Sequence, residues 1–249
     1  VHSNLALKYL YSVMADSDFD LEIKEFTINN NDDYIFTELV RLNYDIVCFS
    51  CYIWNIEKIK DIVDNLKKAR PEIKILLGGP EVSYLSEELM KENPAVDFII
   101  KGEGELPFFQ FCKAIYLEQQ NFTEVDALVY RLGDKIVENK IGPMIDMEAI
   151  PFPYQILDCE SDKVLYYESS RGCPFGCTYC LSSIEKDVRG LSFDRVKRDL
   201  GYFIDKEVKQ VKFLDRTFNY DKDRAYKIWE FLINRDNGKT NFHFEICGD

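Results

Sequence analysis

Three cysteines within eight residues form the part of the sequence with the clearest chemical potential. Cys173, Cys177 and Cys180 are spaced C-x3-C-x2-C and follow a strand-like apolar run at residues 164–168. The glycines and the proline among them permit tight turns that bring three thiolates to one centre. A cubane [4Fe-4S] cluster has four irons and is usually held by four cysteines. Three cysteines would leave one iron open to a small ligand.

Two other readings of the triplet stay open on spacing alone. A zinc site usually takes four nitrogen or sulfur ligands, often in C-x2-C pairs, and no histidine lies near these cysteines in the sequence. A disulfide between two of the cysteines would leave the third as an odd thiol. The spacing favours the cluster.

The segment 173–180, with Tyr179 as the aromatic residue before the last cysteine, resembles the C-x3-C-x-aromatic-C hallmark of radical S-adenosylmethionine (SAM) enzymes. The resemblance implies that the three cysteines hold a [4Fe-4S] cluster and that the amino and carboxylate groups of SAM chelate its open iron. It also implies reductive cleavage of SAM to methionine and a 5′-deoxyadenosyl radical, which abstracts hydrogen from an unactivated carbon.

Composition limits which cellular compartment and which partners are expected. The 249 residues suggest one large or two ordinary domains. Eight cysteines without a signal peptide or an apolar run of about 18 residues indicate a reducing cytoplasm and no membrane span. The net charge of −13 disfavours sequence-independent nucleic-acid binding. The cysteines outside the triplet lie mostly in apolar runs and are expected to be core thiols: Cys48, Cys51, Cys112, Cys159 and Cys247.

The N-terminal half alternates strands with helices, which predicts an α/β fold with a doubly wound parallel sheet. Ser3 is the candidate N-cap of the first helix. Helices are predicted at 3–15, 33–42, 56–69, 85–92 and 106–118, and strands at 21–26, 45–52, 73–77 and 96–101. Because such a sheet normally opens with a strand, we expect a first strand before Val1, which gives a flavodoxin-like order. Ligands then bind at the carboxyl ends of the strands.

Three turns at those strand ends carry a second resemblance. They contain Ser50 and Tyr52, the pair Gly78–Gly79, and the pair Gly102–Glu103, and they resemble the B12 (cobalamin)-binding domain that precedes many radical SAM domains. The resemblance covers about residues 1–130 and implies that these six residues contact cobalamin. A module that keeps the fold without the cofactor is the alternative.

Axial ligation of the cobalt by histidine is not expected. The D-x-H-x-x-G motif of cobalamin domains that bind through histidine is absent, which suggests the base-off form without a protein ligand. His2 lies in a suitable loop, but a lone histidine near a terminus is usually solvated or caps a helix.

The C-terminal half predicts a second domain. Short strands at 125–131 and 135–138 flank Gly133-Asp134, which predicts a hairpin turn, and a proline-containing linker follows at 140–162. From residue 163, strands at 163–170, 210–214 and 241–247 alternate with helices starting near Ser192 and Asp221. This predicts the first half of a radical SAM partial (β/α)6 barrel, truncated after its third strand. The predicted domains are therefore 1–139 and 163–249.

The segment 213–218 resembles the F-x-D-x-T-F sequence common in cobalamin-linked radical SAM enzymes. The resemblance implies that Asp215 and Glu245, both near strand ends, contact SAM. A guanidinium forks onto two oxygens, so Arg216 is a candidate for the SAM carboxylate. The alternatives are a helix cap or surface charge for each carboxylate and a structural salt bridge for Arg216.

Four functional hypotheses follow. The leading one is a cobalamin-dependent radical SAM methyltransferase acting on a small molecule, with a reductant such as flavodoxin or ferredoxin as partner. The resemblance also covers the oxidative cyclase that builds the fifth ring of chlorophyll precursors. An RNA methylthiotransferase would need three further cluster cysteines, for which Cys48, Cys51 and Cys112 are candidates. The last hypothesis is a non-catalytic metal-binding module.

Overall fold

The computed structural model describes residues 3–119, 121–159 and 163–248, so the candidate ligand His2 lies outside the described residues. Contacts divide the chain into two compact units: residues 16–145, and residues before 16 together with those from 146 onward. None of the helices in the described ranges is both long and apolar enough to cross a membrane.

The helices and strands alternate through most of the chain. The helices are α1 (Leu5–Val13), α2 (Asp32–Arg41), α3 (Ile56–Ala69), α4 (Ser86–Glu92), α5 (Glu105–Tyr116), α6 (Pro153–Ile156), α7 (Phe193–Asp205) and α8 (Lys222–Asn234). The strands are β1 (Ile46–Ser50), β2 (Lys74–Gly78), β3 (Phe98–Ile100), β4 (Leu128–Leu132), β5 (Lys135–Glu138), β6 (Val164–Tyr167), β7 (Ser170–Arg171), β8 (Arg189–Gly190), β9 (Gln210–Phe213) and β10 (Asn241–His243).

The unit of residues 16–145 is built on one five-stranded sheet in the order β1-β2-β3-β4-β5. Strands β1 to β3 are parallel, with Val47 opposite Ile75 and Leu76 opposite Phe98. Three consecutive residues of β2 are buried, as expected of a parallel strand covered on both faces. The apolar face of α3 repeats at helical spacing and packs into the core through Ile59, Ile62, Val63 and Leu66. These strands and helices confirm the flavodoxin-like prediction.

The sheet continues into an antiparallel hairpin. Leu132 of β4 pairs with Lys135 of β5 across the two-residue turn that begins at Gly133. Gly133 has φ +60°, the left-handed conformation that such turns require. The predicted hairpin is therefore confirmed.

The strand predicted at 21–26 is wrong, because the described residues there form no strand. Exposure does not alternate strictly along this segment, since Ile23 and Lys24 are both partly buried. Phe26 is partly buried against the core and lies edge-to-face with Tyr34, with 6.1 Å between the ring centroids. Alternating hydrophobicity reports one packed face, but a strand also needs a neighbouring backbone to pair with. Packing of Phe26 satisfies the pattern without any ladder.

The other unit contains a three-stranded parallel sheet in the order β10-β9-β6. Tyr167 of β6 lies opposite Phe213 of β9, and α7 and α8 make the two crossovers. The rings of Phe152, Phe203 and Phe213 each contact Tyr167 edge to face. This is the first part of the predicted partial barrel.

Both crossover helices begin at the residues predicted from sequence. The Ser192 hydroxyl accepts a hydrogen bond from the Arg195 amide and caps α7, and the Asp221 carboxylate accepts one from the Arg224 amide and caps α8. Each cap satisfies a backbone N–H group that has no partner within the helix.

By its contacts, helix α1 is part of the barrel unit, although the sequence analysis placed it in the first predicted domain. The Ser12 hydroxyl donates to the Pro151 carbonyl, and Lys8 lies 5.9 Å from the ring centroid of Tyr154. Its N-cap is Asn4 and not Ser3, since the Asn4 side chain accepts from the Leu7 amide. The predicted boundaries at 139 and 163 stay predictions, and part of the predicted linker packs into the barrel unit through Tyr154.

We expect Gly79→Ala to lower the free energy of unfolding by about 3 kcal/mol, as measured by urea denaturation of the full chain. Gly79 has φ +107°, and a Cβ atom there would lie 2.5 Å from the Cys51 carbonyl oxygen. Gly133→Ala is the matched control, because Gly133 also has positive φ but its Cβ would meet no atom within 4 Å. Its cost should be about 1 kcal/mol. Equal losses in the two variants would contradict the close approach at Gly79.

Candidate functional site

The cysteine loop is closed at its neck by a short antiparallel pair. Ser170 and Arg171 of β7 lie opposite Gly190 and Arg189 of β8. Inside the neck, the Cys173 amide donates to the Glu185 carbonyl at 2.9 Å. The position of Cys173 is therefore set by two strands and a backbone hydrogen bond.

Gly172 shows how tightly the neck is packed. It has φ +94°, and a Cβ atom there would lie 2.5 Å from the Asp187 carbonyl oxygen. A side chain would have to displace the returning backbone. Glycine is thus required at this position on two independent grounds, conformation and space.

The three thiols differ in exposure. Cys173 is buried, Cys177 is exposed and Cys180 is half-buried, and all three are free of disulfides. Tyr179 is 92% exposed. Within the described residues, no group of three His, Cys, Asp or Glu side chains is arranged to hold a metal ion, so the thiols share one loop without meeting at one point. As a donor set, three soft thiols on one loop fit an iron–sulfur cluster.

Asp215 joins the end of β9 to the entrance of the cysteine loop. Its carboxylate is fully buried and accepts from the Ser169 amide at 2.9 Å and from the Ser169 hydroxyl at 2.7 Å. The Ser170 hydroxyl is a third donor. Burial raises the pKa of this carboxyl group, while the hydrogen bonds from Ser170 and Ser169 oppose the rise. The predicted SAM contact stays untested, and the geometry gives Asp215 a structural role.

Arg224 adds a positive charge to this network. Its Nη2 donates to the Ser169 carbonyl at 3.0 Å and to the Ser169 hydroxyl at 3.1 Å, and its charge lowers the pKa of Asp215. The Nε and Nη1 atoms of Arg224 are buried without a hydrogen-bond partner among the described residues. Sequence reasoning missed Arg224, which lies in the first turn of α8.

Thr217 is a second residue that the sequence prediction left out. It is buried, and its hydroxyl oxygen lies 3.5 Å from the sulfur of Cys173. Its place in the F-x-D-x-T-F segment was the available signal, but the prediction assigned roles only to its acidic and basic neighbours. The structure brings the loop after β9 against the first cysteine of the triplet.

The other two predicted SAM contacts are accessible. Arg216 is exposed and forms no salt bridge within the described part of the chain. Glu245 is partly exposed, and its carboxylate lies 3.6 Å from Lys212 Nζ. Its backbone carbonyl accepts from the Phe218 amide at 2.9 Å, which ties the segment after β10 to the segment after β9. The structure therefore brings the strand-end segments of Asp215 and Glu245 together, and their predicted contact with SAM stays a prediction.

The predicted cobalamin turns also lie together, at the carboxyl ends of β1, β2 and β3. The Cys51 amide donates to the Gly78 carbonyl at 2.7 Å, which joins the first two turns. Ser83 joins the second to the third, because its hydroxyl donates to the Gly79 carbonyl at 2.8 Å and accepts from the Gly102 amide at 3.1 Å. Sequence reasoning missed Ser83.

The first turn is stiffened by Asn55. The Asn55 side chain accepts from the Tyr52 amide at 2.7 Å and donates to the Ser50 carbonyl at 2.9 Å. Beyond it, the rings of Tyr52 and Trp54 stack at 4.6 Å, and Trp54 is mostly exposed. In the third turn, the Glu103 carboxylate accepts weakly from the Ile145 amide at 3.4 Å. These turns present a polar backbone and an exposed aromatic surface to one edge of the sheet.

Two cysteines of the first unit are core thiols, as predicted. Cys51 and Cys112 are buried, and burial raises the pKa of each thiol to about 12. Thiolates are the form that binds metal, so neither is prepared for a cluster. The prediction is wrong for the exposed Cys48, and Cys159 and Cys247 are only half-buried.

The described residues include two clefts outside these turns and the cysteine loop. One of about 760 Å³ lies between α2 and α3 and is lined by residues such as Asp32, Asp61 and Lys68. Another of about 280 Å³ is lined by residues such as Trp229 and Phe242. Neither cleft is lined by a residue predicted to bind a cofactor.

Comparison with known proteins finds two domain families in the chain. Residues 1–111 match the model of the B12 binding domain, and residues 167–249 match that of the radical SAM superfamily. These matches confirm the resemblance drawn from the cysteine triplet and the three turns.

Two curated relatives are named for different activities. An uncharacterized methyltransferase of Pyrococcus horikoshii is 29% identical over 238 residues, which are 90% of this chain and 51% of that protein. The anaerobic magnesium-protoporphyrin IX monomethyl ester cyclase of Synechocystis sp. is 31% identical over 125 residues, 46% of this chain and 24% of the cyclase. The chain therefore spans about half the length of the first relative and a quarter of the second.

A solved structure confirms the fold. The cobalamin-dependent S-adenosylmethionine radical enzyme OxsB, with aqua-cobalamin and S-adenosylmethionine bound, has a TM-score of 0.77 and 18% sequence identity. The match covers 97% of this chain and 36% of OxsB. It supports a flavodoxin-like domain followed by a partial barrel.

We expect Asp215→Ala to lower the free energy of unfolding by about 3 kcal/mol, because it leaves the buried donors of Ser169 and Ser170 without their acceptor. Asp205→Ala is the control, since Asp205 is exposed and its salt bridge with Arg235 should contribute less than about 1 kcal/mol. Urea denaturation of the full chain measures both. A loss at Asp215 no larger than the loss at Asp205 would contradict the structural role.

Proposed function

We propose that this chain, which joins a B12-binding domain to a radical SAM domain, carries the cofactor sites of a cobalamin-dependent radical SAM methyltransferase. The proposed reaction transfers a methyl group to an unactivated carbon of a small-molecule substrate. One observation carries the proposal: the loop after the first strand of the parallel barrel sheet is closed at its neck and presents three free thiols.

Within this proposal, Cys173, Cys177 and Cys180 hold a [4Fe-4S] cluster. When bound, the cluster and SAM supply reductive cleavage of the sulfonium, with the electron coming from an external low-potential donor such as flavodoxin or ferredoxin. The β7–β8 neck and the Asp215 network orient the loop that carries the ligands. Tyr179, being exposed at this loop, is free to line the SAM site.

Arg216 is the residue best placed to bind the SAM carboxylate. It is exposed, lies three residues after the end of β9 and has no salt bridge within the described ranges, so its guanidinium can fork onto two oxygens. Glu245 is the candidate for the SAM amino group, in exchange for its contact with Lys212. Asp215 would act on SAM only through the loop that it holds.

Cobalamin would lie against the turns containing Ser50, Tyr52, Gly78–Gly79 and Gly102–Glu103. Gly79 approaches Cys51 so closely that a side chain would not fit between the first two turns. Residues 16–145 contain no histidine, so this unit cannot supply an imidazole ligand to the cobalt. We therefore propose base-off binding without a histidine from the sheet unit, in the reducing conditions of a cytoplasm.

An oxidative cyclase is the second candidate, favoured by the 31% identity to the Synechocystis cyclase. Both activities would use the same two cofactors, so product analysis separates them. An RNA methylthiotransferase is less well supported, because burial keeps Cys51 and Cys112 protonated and the chain is acidic.

Anaerobic reconstitution of the full chain with iron, sulfide and cobalamin should give about four irons and about one cobalt per chain. The variant with Cys173, Cys177 and Cys180 all changed to Ala should lose the iron and keep the cobalt. Cys48→Ala, which removes an exposed thiol outside the loop, should keep both. Zinc without iron would indicate a non-catalytic metal-binding module, and iron retained by the triple variant would place the cluster elsewhere.

With a low-potential reductant, the reconstituted chain should convert SAM to methionine and 5′-deoxyadenosine. Arg216→Ala should raise the Kd for SAM about tenfold, which corresponds to ~1.4 kcal/mol of lost charge-assisted hydrogen bonding. Arg235→Ala, another exposed arginine of the same unit, is the control. Unchanged SAM affinity in Arg216→Ala would remove this residue from the site without affecting the cluster assignment.

A further inference from the structure

Thr217 has an unusual position for a threonine side chain. It is 6% exposed, and its hydroxyl oxygen lies 3.5 Å from the sulfur of Cys173. The contact joins two segments 44 residues apart in sequence. No other hydrogen bond of this hydroxyl is found within residues 3–119, 121–159 and 163–248.

The backbone around Thr217 holds the hydroxyl in place. The Thr217 carbonyl accepts from the Tyr220 amide at 3.1 Å, and the next amide, of Phe218, donates to the Glu245 carbonyl at 2.9 Å. On the other side, Cys173 is fixed by its amide bond to Glu185. The contact therefore lies between two restrained backbone segments.

The direction of this hydrogen bond becomes fixed when the sulfur becomes a ligand. In the free thiol, either the S–H or the O–H group can donate. A cysteine thiolate has no proton, so Thr217 must then be the donor. Hydrogen bonds to cluster sulfurs stabilise the more negative, reduced state and are one of the factors that set the reduction potential.

Burial makes this single donor effective. Cys173 is 8% exposed, whereas Cys177 is exposed to solvent. Water that reaches Cys177 has little access to Cys173, so a lost hydroxyl there would not be replaced by a solvent hydrogen bond.

We propose that Thr217 is a positioning residue that raises the reduction potential of the cluster through a hydrogen bond from its hydroxyl to the sulfur of Cys173. This inference rests on the proposed function, because it needs a cluster on the cysteine triplet. It makes Thr217 a determinant of how readily an external donor reduces the cluster.

The test is a redox titration of the reconstituted full chain, in which electron paramagnetic resonance monitors the reduced cluster. Thr217→Val removes the hydroxyl at similar volume and should lower the ratio of reduced to oxidised cluster about tenfold at fixed solution potential, a shift of ~59 mV for one electron. Thr217→Ser keeps the hydroxyl and should stay within about twofold of the wild type. Thr37→Val is the control, since Thr37 is an exposed threonine of α2 and lies outside the cysteine loop.

Iron content distinguishes failure of the proposed function from failure of the inference about Thr217. A wild-type chain that takes up no cluster overturns the proposed function and this inference together. Equal potentials in the wild type and in a fully loaded Thr217→Val variant overturn the inference alone. If Thr217→Val loads poorly, Thr217→Ala gives the same measurement. Loss of iron from both would also overturn it, because the hydroxyl would then be needed to hold the cluster and not to tune it.

Discussion

The C-terminal unit depends on the hydrogen bonds that hold the buried carboxylate of Asp215. A charged group without access to water is tolerated only when donors surround it, and here the donors come from Ser169 and Ser170, immediately before the cysteine loop. Asp215 follows β9 and Ser169 follows β6, and these two strands are neighbours in the sheet. Their pairing therefore also determines where the loop begins.

The sheet unit relies on a different device, which is backbone contact between turns. Gly78, Gly79 and Gly102 take part through their own peptide groups, bridged by Cys51 and the Ser83 hydroxyl. Such bonds do not depend on the chemistry of a side chain at the strand ends. The backbone bonds hold the shape of this edge, while side chains around it, such as Trp54, stay exposed.

Much of this arrangement could be predicted from the sequence because it follows local rules. Helix α3 follows from its apolar period, the hairpin from Gly133, and the starts of α7 and α8 from Ser192 and Asp221. The spacing of the three cysteines alone favours a [4Fe-4S] cluster. In each case the information lies within a few residues of the feature, so one sequence is sufficient.

The rest depends on contacts between distant segments. In the sequence, Asp215 is an acidic residue near a strand end. Its hydrogen-bond partners lie 45 and 46 residues earlier, and they decide whether its side chain faces a ligand or the core. Thr217 meets Cys173 only when β9 pairs with β6. Helix α1 has an ordinary amphipathic pattern, which does not say on which unit it packs. The segment 21–26 has a strand-like pattern but lacks a partner strand.

The closed neck of the cysteine loop has a consequence for changes of length. Since β7 and β8 hold both ends, added residues between Cys180 and Glu185 would enlarge a loop that is already closed. The entropic cost grows slowly, by about 0.6 kcal/mol for each doubling of loop length. The spacing of the three cysteines would be untouched. The segment between Cys180 and Glu185 is thus the part of the loop where insertions could be tolerated, while the C-x3-C-x2-C spacing beside it has to stay fixed.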